Sequence, residues 1–162
     1  MLAMSSLKLR AMTDVEFDAW NLHSRLNYAA EKEKEGLSAE DARNESEKSF
    51  ARYLPNGKNT PDHYIYAVYL DDQEKVVGHL WWGMQNHGSK KIPWIFDIEL
   101  NPIYRGKGFG RATMELAQGD VRAKGFDQLG LHVFGHNKVA RSLYESMGFE
   151  AKNIVMNKKL ID

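Results

Sequence analysis

Apolar and polar positions change period several times along the chain, and each change marks an element. Ser5 to Arg10 predicts a short first strand. From Asp14 to about Lys34, apolar residues fall at Val15, Phe17, Trp20, Leu22, Leu26 and Ala29–Ala30. That spacing is broadly helical, and Gly36 ends it. Ser38, with Asp41 three residues later, resembles a capping box and opens a second helix that stops before Pro55. Pro55 to Pro61 is a loop. His63 to Leu70 is strand-like, Asp71-Asp72-Gln73-Glu74 is a hairpin turn, and Lys75 to Met84 is the return strand. Gln85 to Lys91 is a polar connection. Pro93 to Leu100 predicts another strand, stopped by Asn101-Pro102. A helix from about Gly108 to Ala123 is closed by Gly125, and Gln128 to Phe134 is a strand. Asn137 to Met147 is a short helix with Gly148 just past its end, and Phe149 to Leu160 is a final strand. The order β-α-α-β-β-β-α-β-α-β predicts a mixed α/β sheet with helices on both faces, as one domain over residues 1–162.

Composition narrows the class. A chain of 162 residues, 43% apolar and 27% charged, has the profile of a soluble globular domain with a core. Lysine plus arginine total 22, and so do aspartate plus glutamate. This balance gives no whole-molecule electrostatic reason to expect a nucleic-acid partner. With no cysteine, disulfides, thiolate metal sites and a cysteine nucleophile are excluded. That fits a cytoplasmic location. No run approaches 18 apolar residues, so no membrane partner is expected. Met1-Leu2-Ala3-Met4 lacks the basic flank and apolar core of a signal peptide, and both Met1 and Met4 stand as possible starts.

The candidate chemistry begins where the strand ending at Leu100 meets the helix opening near Gly108. Arg105-Gly106-Lys107-Gly108-Phe109-Gly110-Arg111 places three glycines at alternate positions, and a helix N-terminus follows. Glycines let the backbone approach a ligand. The first helical amides and the helix dipole favour an anion. Arg105, Lys107 and Arg111 add positive charge, so a pyrophosphate is the natural guest; a solvated basic turn is the plain alternative. No Walker run is present. A dinucleotide fingerprint starting at Gly106 fails because position 111 is arginine.

Arg105 to Gly110 fits the Arg/Gln-x-x-Gly-x-Gly/Ala signature, follows Asn101-Pro102-Ile103-Tyr104, and opens a helix. Further on, Asn137, Tyr144 and Gly148-Phe149 frame a short helix before a last strand. In these features residues 94–150 resemble the GNAT superfamily of N-acetyltransferases. The resemblance implies a mostly antiparallel sheet splayed between strands 4 and 5, with acetyl-CoA as acetyl donor and no metal. Its pantetheine arm would add to the splayed edge near the backbones of Ile98 and Leu100. Its pyrophosphate would rest on the amides of residues 105–110, with Arg111 also binding the cofactor, and Asn137 would hydrogen-bond the arm. Asparagine is also a favoured helix N-cap, and the two roles are compatible. Tyr144 matches the tyrosine that serves as general acid in many members; its alternative is packing under the last helix.

A base is sought on Trp94-Ile95-Phe96-Asp97-Ile98-Glu99-Leu100. Strict alternation puts Trp94, Phe96, Ile98 and Leu100 on one face and Asp97 with Glu99 on the other, unless a bulge intervenes. Glu99, Asp97 or a water chain would take the amine proton, or the pair would attract a cationic amine. His132 and His136 have metal-like i, i+4 spacing only in a helix, and this stretch reads as strand and turn. His132 is also a candidate for proton transfer. By the resemblance the first two helices border the acceptor. They carry Trp20, Tyr28, Glu31, Glu33, Glu35, Glu40, Asp41, Glu45 and Glu47, either a solvated acidic face or an attraction for a basic acceptor. Trp81 and Trp82 face opposite sides, one in the core and the other at the cleft or an interface. The expected activity is acetyl transfer to a primary amine by direct attack in a ternary complex. The alternatives are another acyl-CoA, or a non-catalytic acyl-CoA-sensing module. No feature separates a monomer from a homodimer.

Overall fold

The computed structural model describes residues 7–71 and 74–162. Ser5 and Ser6 of the predicted first strand, and Asp72 and Gln73 of the predicted hairpin turn, lie outside them. In order come β1 (Leu7–Ala11), α1 (Asp14–Lys34), α2 (Ala39–Tyr53), β2 (His63–Leu70), β3 (Lys75–His87), β4 (Lys90–Leu100), α3 (Phe109–Ala123), β5 (Gly130–Leu131) and α4 (Lys138–Ser146). The chain divides into two compact units, one ending at Leu131 and the other His132–Asp162. Among the described residues no helix is long and apolar enough to cross a membrane.

The first unit is an open five-stranded sheet in the order β1-β2-β3-β4-β5. All pairs are antiparallel except β4 with β5. That parallel ladder holds only Trp94 with Gly130 and Ile95 with Leu131. A Cβ on residue 130 would collide with the Trp94 ring, so glycine is what lets the strands approach. Beyond Ile95 the ladder stops, and residues 96–100 have no strand partner on that side among the described residues. The predicted splay is this parting, though β5 is far shorter than Gln128–Phe134.

Helix caps follow the chemistry of the sequence. Thr13 caps α1 through a capping box with Glu16, and Ser38 Oγ accepts from the Asp41 amide at α2. Glu16 also accepts from Arg10 Nη1 at 2.8 Å and Nη2 at 3.0 Å. The Arg10 hydrogen bonds, opposed by burial and aided by Thr13, lower its pKa to about 2.

The sheet has two differently built faces. On one, α1 and α2 cover Met12, Phe17, Trp20, Phe50, Leu54, Ile65, Ala67 and Trp81. Only Phe17, Trp20 and Ser24 of α1 are fully buried, whereas Val15, Leu22 and Leu26 are exposed. The helical spacing matches α1, but the buried stripe is narrower than the apolar pattern. On the other face α3 buries Phe109, Ala112, Thr113, Met114, Ala117 and Val121. There Asp120 accepts from Tyr66 Oη at 2.7 Å, Trp82 Nε1 at 2.8 Å and Lys124 Nζ at 2.8 Å. Burial would raise the Asp120 pKa, but these three donors outweigh it and hold it below the usual carboxylate range. Trp81 and Trp82 do point to opposite faces. Neither lines an open cleft, since they are 4% and 0% exposed.

In the second unit, the Asn137 side chain accepts from the Ala140 amide and caps α4. The helix closes with Gly148 N–H donating to Glu145 O and Phe149 N–H to Tyr144 O, a Schellman closure. The predicted final strand Phe149–Leu160 is not formed. Residues 150–162 carry exposed side chains and join no ladder, and this unit contains no strand to pair with them. The β propensity of Ile154-Val155-Met156 does not make a strand without a partner.

Two outcomes are expected. Asp120→Ala strands the buried donors of Tyr66 and Trp82, so urea unfolding should show a loss of about 2–4 kcal/mol; a loss under about 1 kcal/mol would mean the network carries little. Glu16 is more acidic folded than at its ordinary value of 4.5. Its contribution is therefore complete above that pH and disappears as pH falls toward 2. Glu16→Gln should be less stable than the parent at pH 7, with the gap closing through that window in acid-titrated unfolding curves.

Candidate acetyl-transfer site

The strand end and the glycine loop form one continuous turn. Asn101 N–H donates to Val77 O, tying the end of β4 to β3, and Pro102–Tyr104 make a single 3-10 turn. Gly106 and Gly108 then adopt left-handed backbone, with φ of 71° and 84°. At Gly106 a Cβ would meet nothing within 4 Å, so conformation and not crowding selects glycine. Gly108 is the N-cap of α3, and no side chain caps this helix. The first helical bond runs from Ala112 N–H to Gly108 O. The amides of Phe109 and Gly110 therefore lack intrahelical acceptors and stand at the positive end of the helix dipole. Phe109 is 2% exposed and anchors the loop from beneath. This uncapped, glycine-built N-terminus fits an anionic phosphate group.

Arg105 differs from the other basic residues of the loop. Its guanidinium turns back onto the strand end, where Nε donates to Leu100 O at 2.9 Å and Nη2 lies 3.5 Å from Glu99 Oε1. The arginine thus links the loop to the carboxylate of β4.

The two carboxylates share a face, but the alternation around them is broken. Trp81 pairs with Asp97 while Trp82 pairs with Ile95, so Phe96 is an extra residue in β4. This β-bulge turns Phe96 to the α1–α2 side, where it stacks on Trp81 at 4.6 Å. Asp97 faces the same side. Phe96 therefore does not share a face with Ile98 and Leu100, and the carboxylates do not stand opposite an unbroken apolar row.

Asp97 Oδ2 accepts three hydrogen bonds: His79 Nε2 at 2.9 Å, Ser24 Oγ at 3.0 Å and Trp20 Nε1 at 3.1 Å. Burial alone would push its pKa up; these donors outweigh burial and keep it below the usual range. Trp20, 5% exposed, is a core residue whose indole N–H serves this carboxylate. Glu99 is looser. Its Oε2 lies 3.2 Å from His23 Nε2 and 3.9 Å from His79 Nε2. One ligand atom each of His79, Asp97 and Glu99 lies within 4.8 Å of the others, a spacing that can also hold a cation.

Of the predicted residues, Ile98, Glu99, Leu100 and the loop 105–111 are contiguous in the first unit. Asn137 and Tyr144 belong to the second. There Asn137 is the α4 cap, and the Tyr144 ring packs against Phe149 at 5.9 Å. His132 and His136 flank Phe134, at 4.9 Å and 5.5 Å between ring centroids, outside any helix. The sequence reading missed His79, His23 and Ser24. His79 had a signal, as the one polar side chain in Val76-Val77-Gly78-His79-Leu80-Trp81-Trp82-Gly83. His23 and Ser24 had none, because only the α1–β4 packing brings them to the carboxylates.

The open sheet thus parts beside a glycine-built turn, with two carboxylates on the parting strand. The model of the acetyltransferase (GNAT) family matches residues 14–149, and the chain belongs to that family, whose members use acetyl-CoA. It is 35% identical to the uncharacterized N-acetyltransferase YycN of Bacillus subtilis (strain 168), over 96% of this chain and 99% of YycN. The crystal structure of YycN superposes with a TM-score of 0.86. The uncharacterized N-acetyltransferase YdgE of the same organism is 33% identical over 94% of this chain and 97% of its own. AAC(6')-Iy, solved in complex with the bisubstrate analog CoA-S-monomethyl-acetylneamine, shares the fold at 13% identity. Its TM-score is 0.59, and the match covers 96% of this chain and 99% of that one.

Gly108→Ala forces a side chain into left-handed backbone and is expected to cost about 1–2 kcal/mol. Thermal unfolding checks this; an unchanged midpoint would show that the turn relaxes without strain.

Proposed function

We propose that the protein transfers the acetyl group of acetyl-CoA to a primary amine by direct attack in a ternary complex. The observation that carries this reading is the uncapped N-terminus of α3 beside the unpaired edge of β4. Backbone amides of the 105–111 turn would hold the pyrophosphate, with Lys107 and Arg111 adding charge. The edge at Ile98 and Leu100 would receive the pantetheine arm as an added strand, and Asn137 would bond the arm. The cofactor supplies an activated acetyl thioester.

The residues supply proton control. The attacking nitrogen forms a bond to the acetyl carbon, the carbon–sulfur bond breaks, and the nitrogen must lose a proton. Glu99 is the base in this reading, because it is the carboxylate of the pair not already filled by three donors. Asp97 is fixed in place and contributes negative charge. By the family resemblance Tyr144 would supply the proton to the departing thiolate and regain one from solvent, and the product leaves as a neutral N-acetyl amide. The two carboxylates favour an acceptor that arrives as an ammonium, which first releases one proton to solvent so that the neutral amine attacks and passes its second proton to Glu99.

Calorimetric titration with CoA and thiol release across an amine panel test the reading. The parent should bind CoA, and Glu99→Gln and Tyr144→Phe should each lower kcat by about 10²-fold while leaving cofactor affinity within about twofold. No CoA binding at millimolar concentration would overturn the proposal. Binding without transfer to any amine would reduce it to an acyl-CoA-sensing role. Unchanged turnover in Tyr144→Phe would remove the acid.

A further inference from the structure

His79 is placed where neither the glycine loop nor the paired carboxylates explain it. It sits in β3 directly across from Glu99, and the bulge at Phe96 brings Asp97 to the same side. Its side chain is 15% exposed. Nε2 reaches Asp97 Oδ2 at 2.9 Å and lies 3.9 Å from Glu99 Oε2. The charged or titratable groups around the ring are Asp97 and Glu99 from β4, His23 from α1, whose ring centroid is 6.3 Å away, and Arg105 beyond Glu99. Trp20 completes the enclosure, edge-on at 6.2 Å.

The hydrogen bonds assign the ring's proton. Asp97 is a carboxylate already filled by the donors Trp20 and Ser24, so it can only accept from His79. Nε2 therefore carries hydrogen, and the ring is locked in one tautomer and one orientation, the role a buried aspartate plays for a histidine in acid–base sites. The locked ring stands between two carboxylates that would otherwise repel each other. Asp97 is satisfied, and Glu99 has looser contacts to His79, to the exposed His23 and to Arg105.

We propose that His79 is a positioning residue for acetyl transfer: held by Asp97, it separates the two carboxylates and keeps Glu99 placed to take the acceptor's proton. This rests on the acetyl-transfer reading above. His79→Ala removes both the spacer and the hydrogen bond to Asp97. His79→Gln keeps an amide donor toward Asp97 but not the ring. Asp97→Asn replaces the acceptor with a group that can offer the ring a donor instead.

The experiment is the pH dependence of kcat and KM for the parent and these three variants, with near-UV circular dichroism to confirm native packing. His79→Ala and Asp97→Asn are expected to lose about tenfold or more in kcat with KM for acetyl-CoA within about twofold. His79→Gln should recover most of that loss. Two-bond ¹⁵N–¹H spectra of the imidazoles should show the Nε2-protonated tautomer in the parent and its loss in Asp97→Asn. A natively packed His79→Ala with kcat within twofold of the parent, or an Nδ1-protonated ring, would overturn the positioning role and leave the acetyl-transfer reading intact. A parent that transfers to no amine would overturn both, whatever tautomer the spectra show.

Discussion

The bulge at Phe96 is the constraint on which the candidate site depends. One extra residue in β4 sends Phe96 and Asp97 to the same side of the sheet, where regular alternation would send them to opposite sides. Phe96 then completes the aromatic core with Trp81, and Asp97 comes within reach of Trp20, Ser24 and His79. A charge enters the α1–α2 face without being stranded, because three donors meet it there. The hydrophobic packing and the polar site are thus made by the same irregularity.

The two faces of the sheet repeat one solution for different ends. Each has a covered aspartate taking a tryptophan indole N–H: Asp97 from Trp20, and Asp120 from Trp82. Around Asp120 the remaining partners are Tyr66 and Lys124, and burial with the Asp120 contact raises the Tyr66 pKa far above its ordinary value. Nothing there is left poised for proton exchange, and the network ties α3 to the strands. Around Asp97 the third partner is a histidine, and the next carboxylate, Glu99, has only looser contacts. That contrast is why the chemistry is assigned to one face and the stability to the other.

The glycine turn joins the carboxylates through Arg105. Its guanidinium bonds the carbonyl of Leu100 and approaches Glu99, so the loop and the end of β4 are held as one piece. The strand edge left open after Ile95 runs directly into that piece. The glycine turn and Glu99 are coupled by covalent neighbours and one side chain, with no long-range device needed.

The sequence by itself determined most of the local structure and the class of protein. Turn and cap chemistry acts over a few residues, so Gly36, Ser38, Gly125, Asn137 and Gly148 each marked a helix end that is present. The glycine loop was legible for the same reason: its conformation and its amides are local properties. Only the tertiary structure decided which residues meet. The narrow buried stripe of α1, the burial of both Trp81 and Trp82, and the arrival of His23, Ser24 and His79 at the carboxylates depend on packing between distant elements. The strand expected over Phe149–Leu160 shows the same limit. A strand exists only through its neighbour, and no local pattern specifies where that neighbour is.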